Sequence, residues 1–118
     1  MDLQKLKINQ FNHISLVNFP QDIDLGIISD NNNIEVVIYY INKVEDIQNF
    51  VNYCNSIDLP KDNRTILVFK KGRKDEVNRD RIITPFRQNK FEDFTFKAPM
   101  LCSLSKELSA FVLAKKME

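Results

Sequence analysis

The run from Ile34 to Ile41 constrains the fold of this 118-residue chain more than any other segment does. It is rich in β-branched and aromatic residues, and its apolar character is nearly continuous. A strand of that composition is typical of the centre of a sheet that is covered on both faces. The sequence therefore predicts an α/β protein.

A helix is predicted directly after this strand. Apolar residues from Val44 to Ile57 recur at helical spacing and form one stripe. Asn42 is the predicted N-cap, with Glu45 reaching back in a capping-box arrangement. Pro60 stops any continuation of the helix.

The remaining elements are shorter and are predicted from the same criteria of spacing, composition and turn residues. Pro85 is expected to kink the second helix. The elements are one or two helical turns over Leu3–Ile8, strands at Ile14–Val17 and Thr65–Phe69, a short helix within Gln21–Ser29, a helix starting at Asn78 or Asp80, and strands at Phe94–Ala98 and Ala110–Ala114.

This order of strands and helices predicts a single α/β domain over residues 1–118. The expected architecture is a three-layer sandwich, Rossmann- or methyltransferase-like but shortened, with a mainly parallel sheet of about five strands and helices on both faces. The last two strands are expected to form an antiparallel hairpin at one edge of the sheet.

The charges of the chain are unevenly distributed, although the net charge is only +1. Residues 1–60 carry three cations against eight anions, a net charge of −5, whereas residues 61–90 carry ten against four, a net charge of +6. The small overall charge gives no reason to expect binding to DNA or to a membrane. The basic middle block is the one electrostatic indication of a partner.

The sequence shows no signal for export or for insertion into a membrane. Its start contains Asp2 and lacks the hydrophobic run of a signal peptide. The longest apolar stretch, Val36–Ile41, is far shorter than the ~20 residues that span a bilayer. Cys54 and Cys102 form no CxxC pattern. We therefore expect a cytoplasmic protein with reduced thiols and no membrane partner.

The main candidate site is the charged loop Lys70–Arg81, which follows the predicted strand Thr65–Phe69. α/β proteins place ligands at the carboxyl ends of central strands, and a helix N-terminus near Asn78 would offer free amides to an anion. The competing interpretation is a solvated loop whose cations are offset by neighbouring acids. If the loop binds an anion or a partner, the predicted contacts are Lys71, Arg73, Lys74, Arg79 and Arg81.

Other reactive side chains lack the partners that chemistry requires. Asp22, two residues before a second aspartate, is expected to favour a helix start rather than to hold a metal. His13 precedes a strand with no identified partner, so a structural or surface role is expected. The segment Cys102–Lys106 has no positioned base. Phe86 and Phe91 are expected in the core, which argues against base stacking.

The run Leu3–Lys116 resembles a family of small uncharacterised bacterial proteins of unknown function. The resemblance implies a methyltransferase-like α/β fold that is shortened by the loss of strands, and it implies no activity. The similarity lies in the short helix Leu3–Ile8 leading into Ile14–Val17, the strand Ile34–Ile41 with its helix Val44–Ile57, the strand ending in Lys70-Lys71, and the closing hairpin with Leu108–Leu113.

The chain departs from the cofactor-binding domains of that fold at its first turn. A dinucleotide or S-adenosylmethionine site needs a glycine-rich turn after the first strand, so that the backbone can approach the ligand. The equivalent segment, Asn18–Asp22, contains no glycine, and Phe19 and Pro20 occupy the place of the ligand. We therefore expect neither a cofactor nor a metal.

Together these observations predict a non-catalytic cytoplasmic module that binds a protein or a small anionic ligand through the loops after its strands. Two alternatives remain open. The first is a small enzyme or a degenerate nucleotide-binding protein that uses the Lys70–Arg81 loop and Asp22. The second is a weak nucleic-acid binder.

Overall fold

Five strands and two α-helices make up the fold, as seen in a computed structural model that describes residues 1–117. Most of the predicted elements form, with shifted ends. In chain order they are a 3-10 turn at Leu3–Leu6, β1 at Ile14–Val17, β2 at Val36–Tyr40, α1 at Glu45–Ser56, β3 at Arg64–Lys70, α2 at Arg79–Arg87, β4 at Phe96–Ser103 and β5 at Leu108–Lys115.

The strands form one mixed sheet in the order β1-β2-β3-β5-β4. β1, β2 and β3 are parallel neighbours, whereas β5 pairs antiparallel with both β3 and β4. The predicted parallel pairing of the strands that begin near Ile34 and Thr65 is confirmed, as is the antiparallel pairing of the last two strands. The prediction of a mainly parallel sheet is wrong, because β5 inserts between β3 and β4.

The burial of β5 explains its central position. Its residues from Ala110 to Ala114 are all buried, as expected for a continuous apolar run with neighbours on both sides and both faces. β4 is the edge strand and is largely exposed. A register shift between Lys97 and Met100, next to Pro99, interrupts its pairing with β5. Bulges and prolines of this kind protect an edge from unwanted strand addition.

Both α-helices cover the same face of the sheet. Phe50 of α1 and Phe86 of α2 are fully buried there, and their ring centroids are 5.9 Å apart in an edge-to-face arrangement. Phe94 lies within 5.9 Å of both rings, and Phe111 of β5 lies 6.1 Å from Phe86. Edge-to-face pairs of this type add stability beyond the area that they bury.

The opposite face of the sheet is covered by irregular chain. Leu6, Phe11 and Leu25 are buried against it. The short helix predicted within Gln21–Ser29 does not form: Gly26 is left-handed with φ 69°, and its amide donates to Asp24 Oδ1 at 2.8 Å in a local turn. A second helical layer is therefore missing, so the predicted three-layer, Rossmann- or methyltransferase-like sandwich is wrong.

The two helices begin differently. The start of α2 lies where it was predicted, at Asn78 or Asp80: Asn78 is the N-cap, since its Oδ1 accepts from the Arg81 amide at 2.9 Å, and the helix continues through Pro85. The capping box predicted for α1 is wrong. Asp46, not Asn42 or Glu45, supplies the carboxylate, which accepts from the amides of Asn42 at 2.9 Å and Lys43 at 2.8 Å.

Asn63 joins the start of β3 to the end of β5. Its side chain is fully buried and accepts from the Lys115 amide at 2.9 Å, while its Nδ2 donates to the carbonyls of Lys115 at 3.0 Å and Pro60 at 2.8 Å. The amide side chain thus acts as one more ladder position. Removal of it would leave part-buried backbone groups of Lys115 and Pro60 without these partners, which is costly.

We expect Asn63→Ala to lower the free energy of unfolding by about 3 kcal/mol, because three hydrogen bonds to part-buried backbone groups are lost. Urea unfolding followed by circular dichroism measures the change. Asn52→Ala, on the exposed side of α1, is the matched control and should change stability by less than about 0.5 kcal/mol. Equal stability of the two variants would contradict the role assigned to Asn63.

Candidate functional site

The carboxyl ends of β1, β2 and β3 lie side by side at one edge of the sheet. The chain after β1 crosses the irregular face, whereas the chain after β2 enters α1 on the helical face. Neighbouring strands whose connections leave on opposite faces open a crevice between them, which is where open α/β sheets bind ligands. The fold is not a Rossmann fold, yet it keeps this local geometry.

A cavity of about 490 Å³ lies at that point, and we call it the β1–β2 crevice. Polar and charged side chains dominate its walls. They are Asn18 and Asp22 after β1, Tyr40, Lys43 and Asp46 at and after the end of β2, and Lys70 at the end of β3, and the ring of Phe19 also lines the cavity.

The turn after β1 reaches a glycine-like conformation without glycine. Asn18 adopts a left-handed backbone with φ 67°, which asparagine tolerates better than most residues. Its Nδ2 donates to the carbonyl of Tyr40 at 2.9 Å, so its side chain joins the ends of β1 and β2. The ring of Phe19 lies 5.5 Å from that of Tyr40. Side chains therefore line this turn where a dinucleotide-binding domain exposes bare backbone.

A second cavity, of about 580 Å³, lies between the end of β3 and the start of α2, and we call it the basic pocket. The amides of Arg79 and Asp80, in the first turn of α2, make no hydrogen bond within residues 1–117. Unpaired amides at a helix start favour an anion. The charged residues that line the basic pocket are Lys70, Lys71, Arg73, Arg79 and Asp80.

Arg73 is held in place by Asn42, just after β2, and by Asp75 in its own loop. Its guanidinium donates to the Asn42 carbonyl at 2.8 Å and forms a two-point contact with Asp75, at 3.0 and 2.5 Å. The hydrogen bond to Asp75 raises the pKa of Arg73 and lowers the pKa of the Asp75 carboxyl. Arg73 therefore joins the loop after β3 to the end of β2.

Lys71 joins the same loop to the turn between β4 and β5. Its Nζ donates to Ser103 Oγ and, at 2.6 Å, to the Ser105 carbonyl, while its backbone amide donates to the Glu107 carbonyl at 2.8 Å. The sequence gives no sign of this contact, since the serine lies 32 residues away. These contacts hold the loop after β3 against the β4–β5 turn.

The other three predicted contacts differ in position. Arg79 lines the basic pocket and lies 3.7 Å from Asp80 in an exposed ion pair. Lys74 and Arg81 are exposed and line neither cavity. The sequence prediction left out Lys70 as a contact, although its place directly at the end of a buried strand was a usable signal.

The remaining candidate groups are dispersed. His13 lies at the opposite end of β1, where its Nδ1 is 2.5 Å from Asp30 Oδ2. Burial raises the pKa of the Cys54 thiol to about 12, and it also raises the pKa of Cys102. Neither cysteine is in a disulfide. Residues 1–117 contain no group of three or more His, Cys, Asp or Glu side chains that could hold a metal ion.

No protein-family model, curated protein or solved structure matches this chain. The resemblance to a family of small bacterial proteins therefore stays a prediction. Within residues 1–117, no helix is long and apolar enough to cross a membrane.

The pair of His13 and Asp30 should make stability depend on pH. The hydrogen bond raises the pKa of His13 above its usual 6.5, so this contribution is complete below pH 6.5 and lost as the pH rises through the folded pKa. The same bond lowers the pKa of Asp30 below 3.8, so its contribution is present above that value and lost in stronger acid. The pair therefore stabilises most between these two values.

We expect the difference in Tm between the wild type and Asp30→Asn to be largest near pH 5 and to shrink toward pH 8, as measured by thermal unfolding across that range. Asp24→Asn is the matched control, because Asp24 accepts a backbone amide two residues on, as Asp30 does, but has no histidine partner. A difference for Asp30→Asn that stays constant from pH 5 to pH 8 would contradict the assignment.

Proposed function

We propose that this chain is a non-catalytic module that binds a small anionic ligand at the basic pocket. The observation that carries the proposal is the position of Lys70. Its side chain is exposed at the end of β3 and lines both the basic pocket and the β1–β2 crevice. Within residues 1–117 it forms no ion pair.

The chemistry of the basic pocket favours an anion. Lys70 and Arg79 contribute charge, and the unpaired amides at the start of the nine-residue α2 contribute donors and the positive end of the helix dipole. The exposed Asp80 opposes them only in part. Phosphate, carboxylate and sulfate groups all match this arrangement of donors.

Lys71 and Arg73 support this site by holding its loop rather than by touching the ligand. Each is anchored to a different strand end, by way of Ser103 and Asn42 respectively. A loop that is fixed before binding loses less conformational entropy when the ligand arrives. The two residues are therefore positioning residues.

The groups needed for nucleophilic catalysis are spread over the molecule, which supports binding rather than reaction. His13 lies at the opposite end of β1 from the crevice, and Cys54 is on the buried side of α1 with a raised pKa. The alternative of a small enzyme or degenerate nucleotide-binding protein keeps one supporting observation, the position of Asp22 in the crevice.

The other partners predicted from the sequence have less support. Nucleic-acid binding through stacked bases needs exposed rings. Phe86 is 1% exposed, and the Phe91 ring packs against it at 4.9 Å. A protein partner that adds a strand at β4 would meet an edge that is interrupted near Pro99.

We propose the cytoplasm as the compartment of this chain. Its two thiols are not in a disulfide, as is usual for proteins in that reducing compartment.

We expect Lys70→Ala and Arg79→Ala each to weaken the binding of inorganic phosphate or pyrophosphate about tenfold, because each removes a charge-assisted hydrogen bond. Isothermal titration calorimetry at low salt measures the dissociation constants. Higher ionic strength should weaken binding to the wild type, because salt screens exposed charges.

Two matched controls remove an exposed lysine outside the pocket. Lys74→Ala lies in the same loop and Lys90→Ala follows α2, and neither residue lines the basic pocket. Both should bind phosphate as the wild type does. If all four variants lose affinity equally, the effect is one of net charge, and the proposed site is wrong.

A further inference from the structure

The β1–β2 crevice differs from the basic pocket in its balance of charge. Lys43 and Lys70 line it together with two carboxylates, Asp22 and Asp46. A simple anion that entered the crevice would meet both acids, and a simple cation would meet both lysines. The walls are complementary to a molecule that carries one charge of each sign.

Asp46 determines which charge lies near α1. In dinucleotide-binding domains, the backbone amides at the start of the helix that follows a strand donate hydrogen bonds to a phosphate. Here the equivalent amides, those of Asn42 and Lys43, already donate to Asp46 Oδ2. The carboxylate therefore takes the place of the phosphate, and its other oxygen makes no hydrogen bond within residues 1–117. This end of the crevice attracts a cationic group.

Tyr40 supplies a second, independent observation. The residue is only 2% exposed and lines the crevice, yet its hydroxyl has no hydrogen-bond partner within residues 1–117. Within residues 1–117, Asn55 Nδ2 is the one buried side-chain polar atom that has neither solvent contact nor a hydrogen-bond partner. The Tyr40 hydroxyl has no partner either, so it must have some contact with solvent. Buried hydroxyl groups are ordinarily satisfied, and this one is available to a ligand in the crevice.

We infer that the β1–β2 crevice binds a small zwitterion, with its ammonium group toward Asp22 and Asp46, its carboxylate or phosphate toward Lys43 and Lys70, and the Tyr40 hydroxyl as a further polar contact. The half-buried ring of Phe19, which packs 5.5 Å from the Tyr40 ring, presents an apolar surface for the carbon chain between the charges. The inference rests on the proposed function, since Lys70 serves both cavities.

The test is nuclear magnetic resonance of the ¹⁵N-labelled full chain with three zwitterions: glycine, 4-aminobutyrate and phosphoethanolamine. Each is compared with its two halves, for example phosphate and ethanolamine. At least one zwitterion should shift the amide signals of Asn18, Tyr40 and Lys43. Judged from these crevice signals alone, it should bind at least tenfold more tightly than either of its halves.

Variants separate the two cavities. Tyr40→Phe keeps the ring contact and should weaken zwitterion binding about two- to tenfold, as expected for one hydrogen bond. Its matched control is Tyr39→Phe on the opposite face of β2, which should bind as the wild type does. Asp22→Asn should weaken zwitterion binding at least tenfold and leave phosphate binding unchanged.

The same spectra distinguish the failure of this inference from the failure of the proposed function. Phosphate alone should shift the signals of Gly72, Arg79 and Asp80, whatever happens in the crevice. If phosphate does so while no zwitterion shifts the crevice signals, or while the halves bind there as well as the whole, the inference is wrong and the anion site stands. If phosphate shifts none of those signals, the proposed function is wrong, and the inference that rests on it is wrong as well.

Discussion

The insertion of β5 between β3 and β4 is the constraint on which the rest of the structure depends. It gives the continuous apolar run Ala110–Ala114 neighbours on both sides, and burial of such a run is the dominant stabilising term in a sheet of this size. The register that follows places Leu108 opposite Lys70. As a result, the turn before β5 lies beside the loop after β3, and Lys71 of that loop can reach Ser103. The packing of one apolar strand thereby determines the shape of a polar surface.

Local signals predicted local structure well. The continuous apolarity of β2, the stripe of α1 and the Asn78 cap of α2 depend on near neighbours in sequence, so they could be predicted without knowing the fold. Strand order could not, because it depends on which strands compete for the central positions. One signal was available. The continuous apolar run of β5 is typical of a strand that is covered on both faces, and such a strand does not usually lie at the edge of a sheet. The irregular cover of the second face was harder to predict, since Leu25 and its neighbours are spaced much as in a helix.

The position of the loop after β3 was predictable from the sequence, but the contacts of its side chains were not. The loop after β3 could be placed at the carboxyl edge from the sequence, because parallel strands end together. Which of its cations are available could not, because Lys71 and Arg73 bind partners 32 and 31 residues away in sequence. The composition of a loop gives the number of its charges, but only the tertiary contacts show which of these charges are already paired. Lys70 remains available because the strand end leaves its side chain exposed and it forms no ion pair within residues 1–117.

The missing glycine turn changes how a ligand can be recognised rather than whether one can be. In a dinucleotide-binding domain, free backbone amides contact the phosphates, and glycine keeps the path open. Here Asn18 provides the left-handed turn, Phe19 packs on Tyr40, and Asp46 occupies the amides before α1. Recognition by backbone is therefore no longer available at the crevice, and recognition by side chains takes its place. Side chains of both signs can contact the charges of a ligand individually, and this is why we infer a small molecule with separated charges rather than a polyphosphate as the ligand of the crevice.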